Sequence, residues 1–439
     1  MAPTQNLPDR CCAFFCFYSK LHNVTSRMTE DNDQLGLKKT LGMWHGVSVI
    51  FGSVVGSGIF ISSNQVLVNC GSVGMTLIIW ALCGVLVGCG ALQYVELGCS
   101  MPKAGGDYEY LLSSLGSTFA FAFSFTRLVI IVPSTLAVAG ISFGTMAITF
   151  FAYVNCRSTK IVNHIQLAFG LGKALALVTV VIAGLYALVK GKTDNFKQPF
   201  EGTSSNVASV INGFYGCIFT FSGWNYLNYV IEELKEPQKN LPRAAIIAIS
   251  FIAGLYIFVN VGYFALLSKE EILTSNAIAV DAMQVLWKPL GIIVSLCVSM
   301  SVFGFINSML FTTSRVVFSA ARNHHMPVVL SYLHCNHNTP IASILLVTAI
   351  SLIFMSLGTL DLLIYMVAFC ESLFLVFTFI GYMYLRKYKP TLSRPFKVRH
   401  VFIFTCILSS CITSSKHTVP IHKHFCYIND ILFKRLKLK

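Results

Sequence analysis

Nine apolar stretches long enough to cross a membrane recur along the chain, near 43–68, 74–98, 118–144, 161–189, 208–231, 244–267, 285–307, 341–358 and 360–385. A hydrocarbon core of roughly 30 Å takes about 20 helical residues to cross. Within it the backbone must satisfy its own polar groups, which leaves only helices or a closed barrel. The dyad alternation of a membrane barrel is absent, and runs such as LVTVVIAGLYALV (177–189) are apolar on every side. The fold class that follows is an all-α membrane protein. Composition agrees, since 55% hydrophobic and 11% charged residues suit neither a water-soluble domain nor a disordered chain.

Two other compositional signals are secondary. A net charge of +14 would suit nucleic-acid binding, but the basic residues lie in short runs between apolar stretches, as membrane loops carry them. We therefore expect no nucleic acid as partner, and membrane lipids instead. Of the 15 cysteines, Cys83, Cys89, Cys217, Cys297 and Cys370 fall inside apolar segments, where a thiol behaves as a small hydrophobe.

Topology follows from charge. Residues 117–156 are too long for one ordinary span and too short for two with a normal loop. If this segment crosses twice, the connections at 157–160, 232–243, 315–340 and 386–399 share one side and collect most of the loop lysines and arginines. Positive residues stay in the cytosol, so ten spans are expected, the fourth shortened to 145–156. The chain then divides into a cytosolic amino-terminal tail (1–40), a transmembrane transporter core (41–398) and a divergent carboxy-terminal tail (399–439). The basic, amphipathic ending ILFKRLKLK suits the surface of an anionic membrane.

Spans one and six are interrupted at corresponding places: VIFGSVVGSGIFIS holds Gly56, Ser57 and Gly58 at its centre, and CIFTFSGWNYLNYV holds Ser222 and Gly223. Small residues in mid-membrane let a helix unwind, baring N–H groups for a carboxylate and carbonyls for an ammonium. Breaks five spans apart are the pattern of a five-plus-five inverted-repeat transporter with broken helices one and six. Close helix packing through small residues is the alternative.

Ionisable residues inside spans are costly enough to be functional candidates. Lys173 must reach backbone carbonyls or a carboxylate of another helix, and its ammonium can stand where a sodium ion would otherwise brace spans one and eight. Glu96 reads as structural, Arg127 as a gate or the partner of a carboxylate, and Glu371 as a cavity acid favouring cationic or zwitterionic substrates. His324, His325, His334, Cys335 and His337 share a loop, but their spacing fits no tetrahedral zinc site. No metal, cofactor or enzymatic motif is indicated.

The stretches GSGIF (56–60), PKAGGDYEY (102–110), SGWNYLNYVIEELKEPQKNLPRA (222–244) and RPFKV (394–398) resemble the light subunits of heteromeric amino-acid transporters, within the amino acid-polyamine-organocation superfamily. The likeness runs from about Leu35 to Val398. It implies that Val54, Ser57 and Gly58 bind the substrate carboxylate. Phe219, Ser222, Gly223, Trp224 and Asn225 would hold the amine and shape the side-chain pocket, and Lys173 would substitute for sodium. It also implies a sodium-independent antiporter for neutral, including aromatic, and cationic amino acids, working by alternating access at the plasma membrane with the amino terminus in the cytosol. The outer loop after span three, which in this family carries the cysteine bridging to a single-pass glycoprotein heavy subunit, is missing here, as are spans eleven and twelve. Cys70 is left as the one cysteine expected to face outside beyond the spans. The rival expectation is a non-transporting isoform that acts only as a membrane-bound partner.

Overall fold

The computed structural model describes residues 39–398 apart from 57, 144, 158, 276, 335–338 and 358–359. Both tails, Ser57, Cys335 and His337 therefore lie outside the described residues, Lys39 and Thr40 excepted. The described chain is helical and contains no β-strand; one parallel bridge joins Leu41 to Leu234.

Span 1 consists of two half-helices, Met43–Val54 and Gly58–Cys70. Span 2 is Val73–Ser100, and the short helix Asp107–Ser114 leads into span 3, which runs through Ser117–Thr126, a widened turn at Arg127–Ile131 and Val132–Phe143. Span 4, Thr145–Arg157, has 13 residues, about 20 Å of helix against a core of roughly 30 Å. Span 5 is Thr159–Val189, span 6 is Val207–Thr220 followed by the tight helix Tyr226–Glu233, and spans 7 to 10 are Pro237–Leu266, Lys288–Arg322, Ile341–Leu357 and Leu360–Tyr388. Among the described residues six helices are long and apolar enough to cross a membrane by themselves. The shorter apolar helices Met43–Val54 and Val207–Thr220 are the first halves of the two interrupted spans.

Span 5 shows how sequence pattern becomes orientation. Leu171, Leu175, Ile182 and Val189 are exposed, whereas Lys173, Leu177 and Val180 are buried. Helical periodicity thus gives one stripe to lipid and the other to the protein interior.

Glu96 closes the far end of span 2. Its carboxylate takes Arg386 Nη2 at 2.6 Å and Arg394 Nε at 3.4 Å, with Tyr382 Oη at 3.2 Å and the Val398 amide at 2.8 Å. The residue pins the RPFKV stretch to span 10, in keeping with a structural role. Cys70, expected beyond the spans on the outer side, is fully buried and free: a tight turn at Gly71 follows it and Gly213 packs on its sulfur.

Candidate functional site

The break in span 1 arises from one change of hydrogen-bond register. Gly56 N–H donates to Val54 O at 2.9 Å instead of reaching back to Gly52 O, and Val55 leaves helical geometry at φ −77°, ψ 86°. Gly52 O and Val55 O thereby lose helical partners, which a buried carbonyl rarely tolerates. Lys173 replaces them. Its Nζ donates to Gly52 O at 2.9 Å and Val55 O at 2.6 Å, and Ser301 Oγ of span 8 adds a bond to Val55 O at 3.1 Å. Lys173 has no exposed surface and, among the described residues, no carboxylate partner. Gly304 of span 8 makes room for it: a Cβ there would stand 3.1 Å from Lys173 Cε.

Span 6 breaks through a left-handed turn. Phe221 and Ser222 donate to Ile218 O and Phe219 O in tightened bonds, and Gly223 takes φ +94°. That conformation suits glycine, and so does the space, since a Cβ at Gly223 would lie 3.0 Å from both Cβ and O of Ser53. The two breaks therefore touch. Gly58 packs on Thr220, Ser62 Oγ lies 2.6 Å from Thr220 Oγ1, and Tyr256 Oη donates to Val54 O at 3.2 Å.

Beside this contact lies a cavity of about 210 Å³. Phe219, Ser222, Gly223, Trp224 and Asn225 of span 6 line it together with Glu371 of span 10, so the structure brings six of the expected binding residues to one wall. Val54, Gly58 and Lys173 are not on that wall. Gly223 packs on Ser53 beside the first break, and Tyr256 Oη donates to the Val54 carbonyl. Ser57 lies outside the described residues.

Several cavity residues were not singled out as binding residues from the sequence. Asp107, at the start of the short helix after span 2, accepts hydrogen bonds from Tyr94 Oη, Tyr229 Oη, Thr378 Oγ1 at 3.0 Å and Asn225 Nδ2 at 3.2 Å. It joins spans 2, 6 and 10 at one carboxylate. Arg127 projects from the widened turn of span 3, its Cζ 4.3 Å from the Tyr229 ring centroid and its Nη1 3.3 Å from Tyr229 Oη. The expectation of a carboxylate partner for Arg127 is not met: among the described residues no ion pair includes it. Asp107 and the aromatic pattern YEY were visible within PKAGGDYEY, but nothing local in sequence ties them to residues more than 100 positions away. Among the described residues no group of histidines, cysteines or carboxylates has the grouping to hold a metal; His325 instead bonds Tyr108 Oη at 2.8 Å and Ser117 Oγ at 2.5 Å.

Two broken helices meeting beside an aromatic, charge-bearing cavity make an arrangement suited to a small zwitterion, and the comparisons agree. The family described as amino acid permease matches residues 41–420. The chain belongs to that family. Relatives include the human cystine/glutamate transporter, 34% identical over 88% of this chain and 83% of the relative, and the human b(0,+)-type amino acid transporter 1, 35% identical over 85% and 81%. The mouse large neutral amino acids transporter small subunit 2 is 35% identical over 84% of this chain and 74% of the relative. Within the permease family these similarities place the chain among the light subunits of heteromeric transporters. It is a multi-pass membrane protein, and its relatives are amino-acid transporters.

Proposed function

We propose that this permease-family chain exchanges neutral amino acids, aromatic ones included, across the plasma membrane without sodium, by alternating access, with its amino terminus in the cytosol. The observation that carries the reading is the Lys173 ammonium seated on Gly52 O and Val55 O, where the first span breaks and meets span 8. A fixed cation there does the electrostatic work that a bound sodium ion would do on bare carbonyls. The α-carboxylate and α-ammonium of the substrate are assigned to the breaks at Val54, Ser57 and Gly58 and at Phe219–Asn225, and its side chain to the adjoining cavity. Glu371 alone would favour cationic substrates; Arg127 in the same cavity opposes them. A single-pass heavy subunit is the proposed partner, held without the family's usual bridge, since the outer-loop cysteine after span 3 has no counterpart here and Cys70 is buried.

Proteoliposomes preloaded with unlabelled amino acid test this. Uptake of labelled leucine, glutamine and tyrosine is expected to rise with preloading and to be equal in sodium and choline buffers. Well-folded protein without preload-stimulated uptake would overturn the exchanger and favour a second reading, a non-transporting membrane partner, which the 13-residue fourth span supports.

A further inference from the structure

We propose that Arg127 and Glu371 form a subsite for the substrate side chain that selects a carboxamide, the group carried by glutamine and asparagine. The proposal rests on the exchanger reading and specifies its substrate class.

Unused hydrogen-bonding capacity around the cavity is concentrated in these two groups. Arg127 is 2% exposed and lines the cavity; its Nη1 reaches Tyr229 Oη, whereas Nε and Nη2 have no partner. Glu371, from span 10, accepts only long bonds, from Ser222 Oγ at 3.4 Å and Tyr226 Oη at 3.5 Å. The other cavity carboxylate, Asp107, already accepts four hydrogen bonds. Tyr226 stands between the two charges, its ring centroid 5.3 Å from Arg127 Cζ and its hydroxyl on Glu371. The cation and anion thus line one cavity without forming an ion pair among the described residues, the guanidinium with unpaired N–H groups and the carboxylate with only long hydrogen bonds.

Side-chain chemistry decides what fits beside these two groups. An aliphatic group leaves a buried guanidinium and a carboxylate both unsatisfied. An ammonium or guanidinium pairs with Glu371 but approaches Arg127, and an ionised acid pairs with Arg127 but approaches Glu371, so in each case the repulsion offsets the attraction and one group stays unsatisfied. A carboxamide is neutral and has an acceptor oxygen for the guanidinium and an NH₂ donor for the carboxylate on separate atoms. Sites built to hydrogen-bond a substrate group discriminate strongly against analogues that lack it.

The test uses the full chain purified in detergent, with binding of labelled glutamine and leucine measured alongside exchange in proteoliposomes. Wild-type protein is expected to favour glutamine over leucine by on the order of 10-fold or more. In Arg127→Met that ratio should fall by a similar factor, with leucine affinity rising as the unpaired charge is removed. Glu371→Gln should lower the ratio too, and it serves as the test if Arg127→Met does not elute as a single folded species. A folded variant with an unchanged ratio overturns the subsite, as does equal loss of both ligands, which would indicate recognition of the amino acid's main-chain ends. Wild-type protein that exchanges leucine without favouring glutamine overturns the subsite alone. Folded wild-type protein that neither binds nor exchanges either ligand overturns the exchanger reading and the subsite with it.

Discussion

Replacing Lys173 by methionine keeps an unbranched side chain of similar length and removes the ammonium, so it isolates the electrostatic role from packing. Two carbonyls lose a charge-assisted donor, but unequally. Val55 O retains Ser301 Oγ at 3.1 Å, whereas no other donor reaches Gly52 O among the described residues. An orphaned buried carbonyl costs about 1–3 kcal/mol. The variant also escapes the desolvation of a buried ammonium, a gain that is present whenever the lysine is buried and does not depend on the break. A net loss of about 2 kcal/mol in the braced geometry corresponds to roughly a 30-fold fall in its population. Exchange in sodium-free proteoliposomes should fall by about that factor while the protein still elutes as a single species. Three oxygens, Gly52 O, Val55 O and Ser301 Oγ, remain around the vacated volume, so any residual exchange in Lys173→Ala should respond to sodium whereas wild-type exchange does not. Unchanged sodium-free exchange in both variants would refute the bracing argument.

Gly223→Ala forces a φ of +94° on an alanine and drives its Cβ to 3.0 Å from Ser53, which should cost about 1–3 kcal/mol and lower exchange by roughly 10-fold or more; normal exchange would mean that the breaks need not touch. Arg315 and Glu233 form a buried ion pair at 2.7 Å between spans 8 and 6. Arg315→Met strands the carboxylate and should cost about 3–5 kcal/mol, while adding Glu233→Gln should recover much of the loss in thermal melting; a double variant no more stable than the single one would contradict this. On the outer connection, the Ser268 backbone N–H and hydroxyl hold the Glu271 carboxyl below the usual glutamate range in a capping box. A depressed carboxyl favours the fold above its unfolded pKa and loses that contribution as pH falls through the lower, folded value. Hydrogen-exchange protection along Lys269–Thr274, corrected for the intrinsic slowing of exchange at low pH, should fall on acidification, less so in Glu271→Gln.

The apolar spans and both breaks were legible because each is written locally, in runs of hydrophobic residues and in GSG or SG steps at mid-span. Lys173 was legible too, since a lysine in AFGLGKALALV has no neighbour in sequence to neutralise it. The cavity's polar network was not. Asp107, Tyr229 and Thr378 come from three segments, and only the folded chain shows that they share one carboxylate. Arg127 invited the expectation of an acid because burial of a lone charge is costly; stacking on Tyr226 and Tyr229 supplies part of what an ion pair would, and the widened turn at Arg127–Ile131 sets its direction. Val54 and Gly58, expected to bind the substrate carboxylate, do not line the cavity, and sequence spacing says nothing about Gly223 packing on Ser53 beside the first break.

The distribution of apolar and polar contacts gives the proposed cycle a physical basis. One hydrophobic core is built mainly from spans 1, 2, 6 and 7, and a second mainly from spans 3, 4, 8 and 9. Polar contacts join the two: Ser53 with Ser308, Ser301 with the first break, and Glu233 with Arg315. Interdigitated apolar faces cannot slide by a fraction of a side chain without opening voids. Hydrogen-bonded groups can exchange one partner for another, or for water, at small net cost. Relative motion of the two groups of helices is therefore least expensive along this polar seam, and the first helix break lies on it. Lys173, bonded from span 5 to carbonyls that only an unwound helix exposes, links the position of the first span to the integrity of the break.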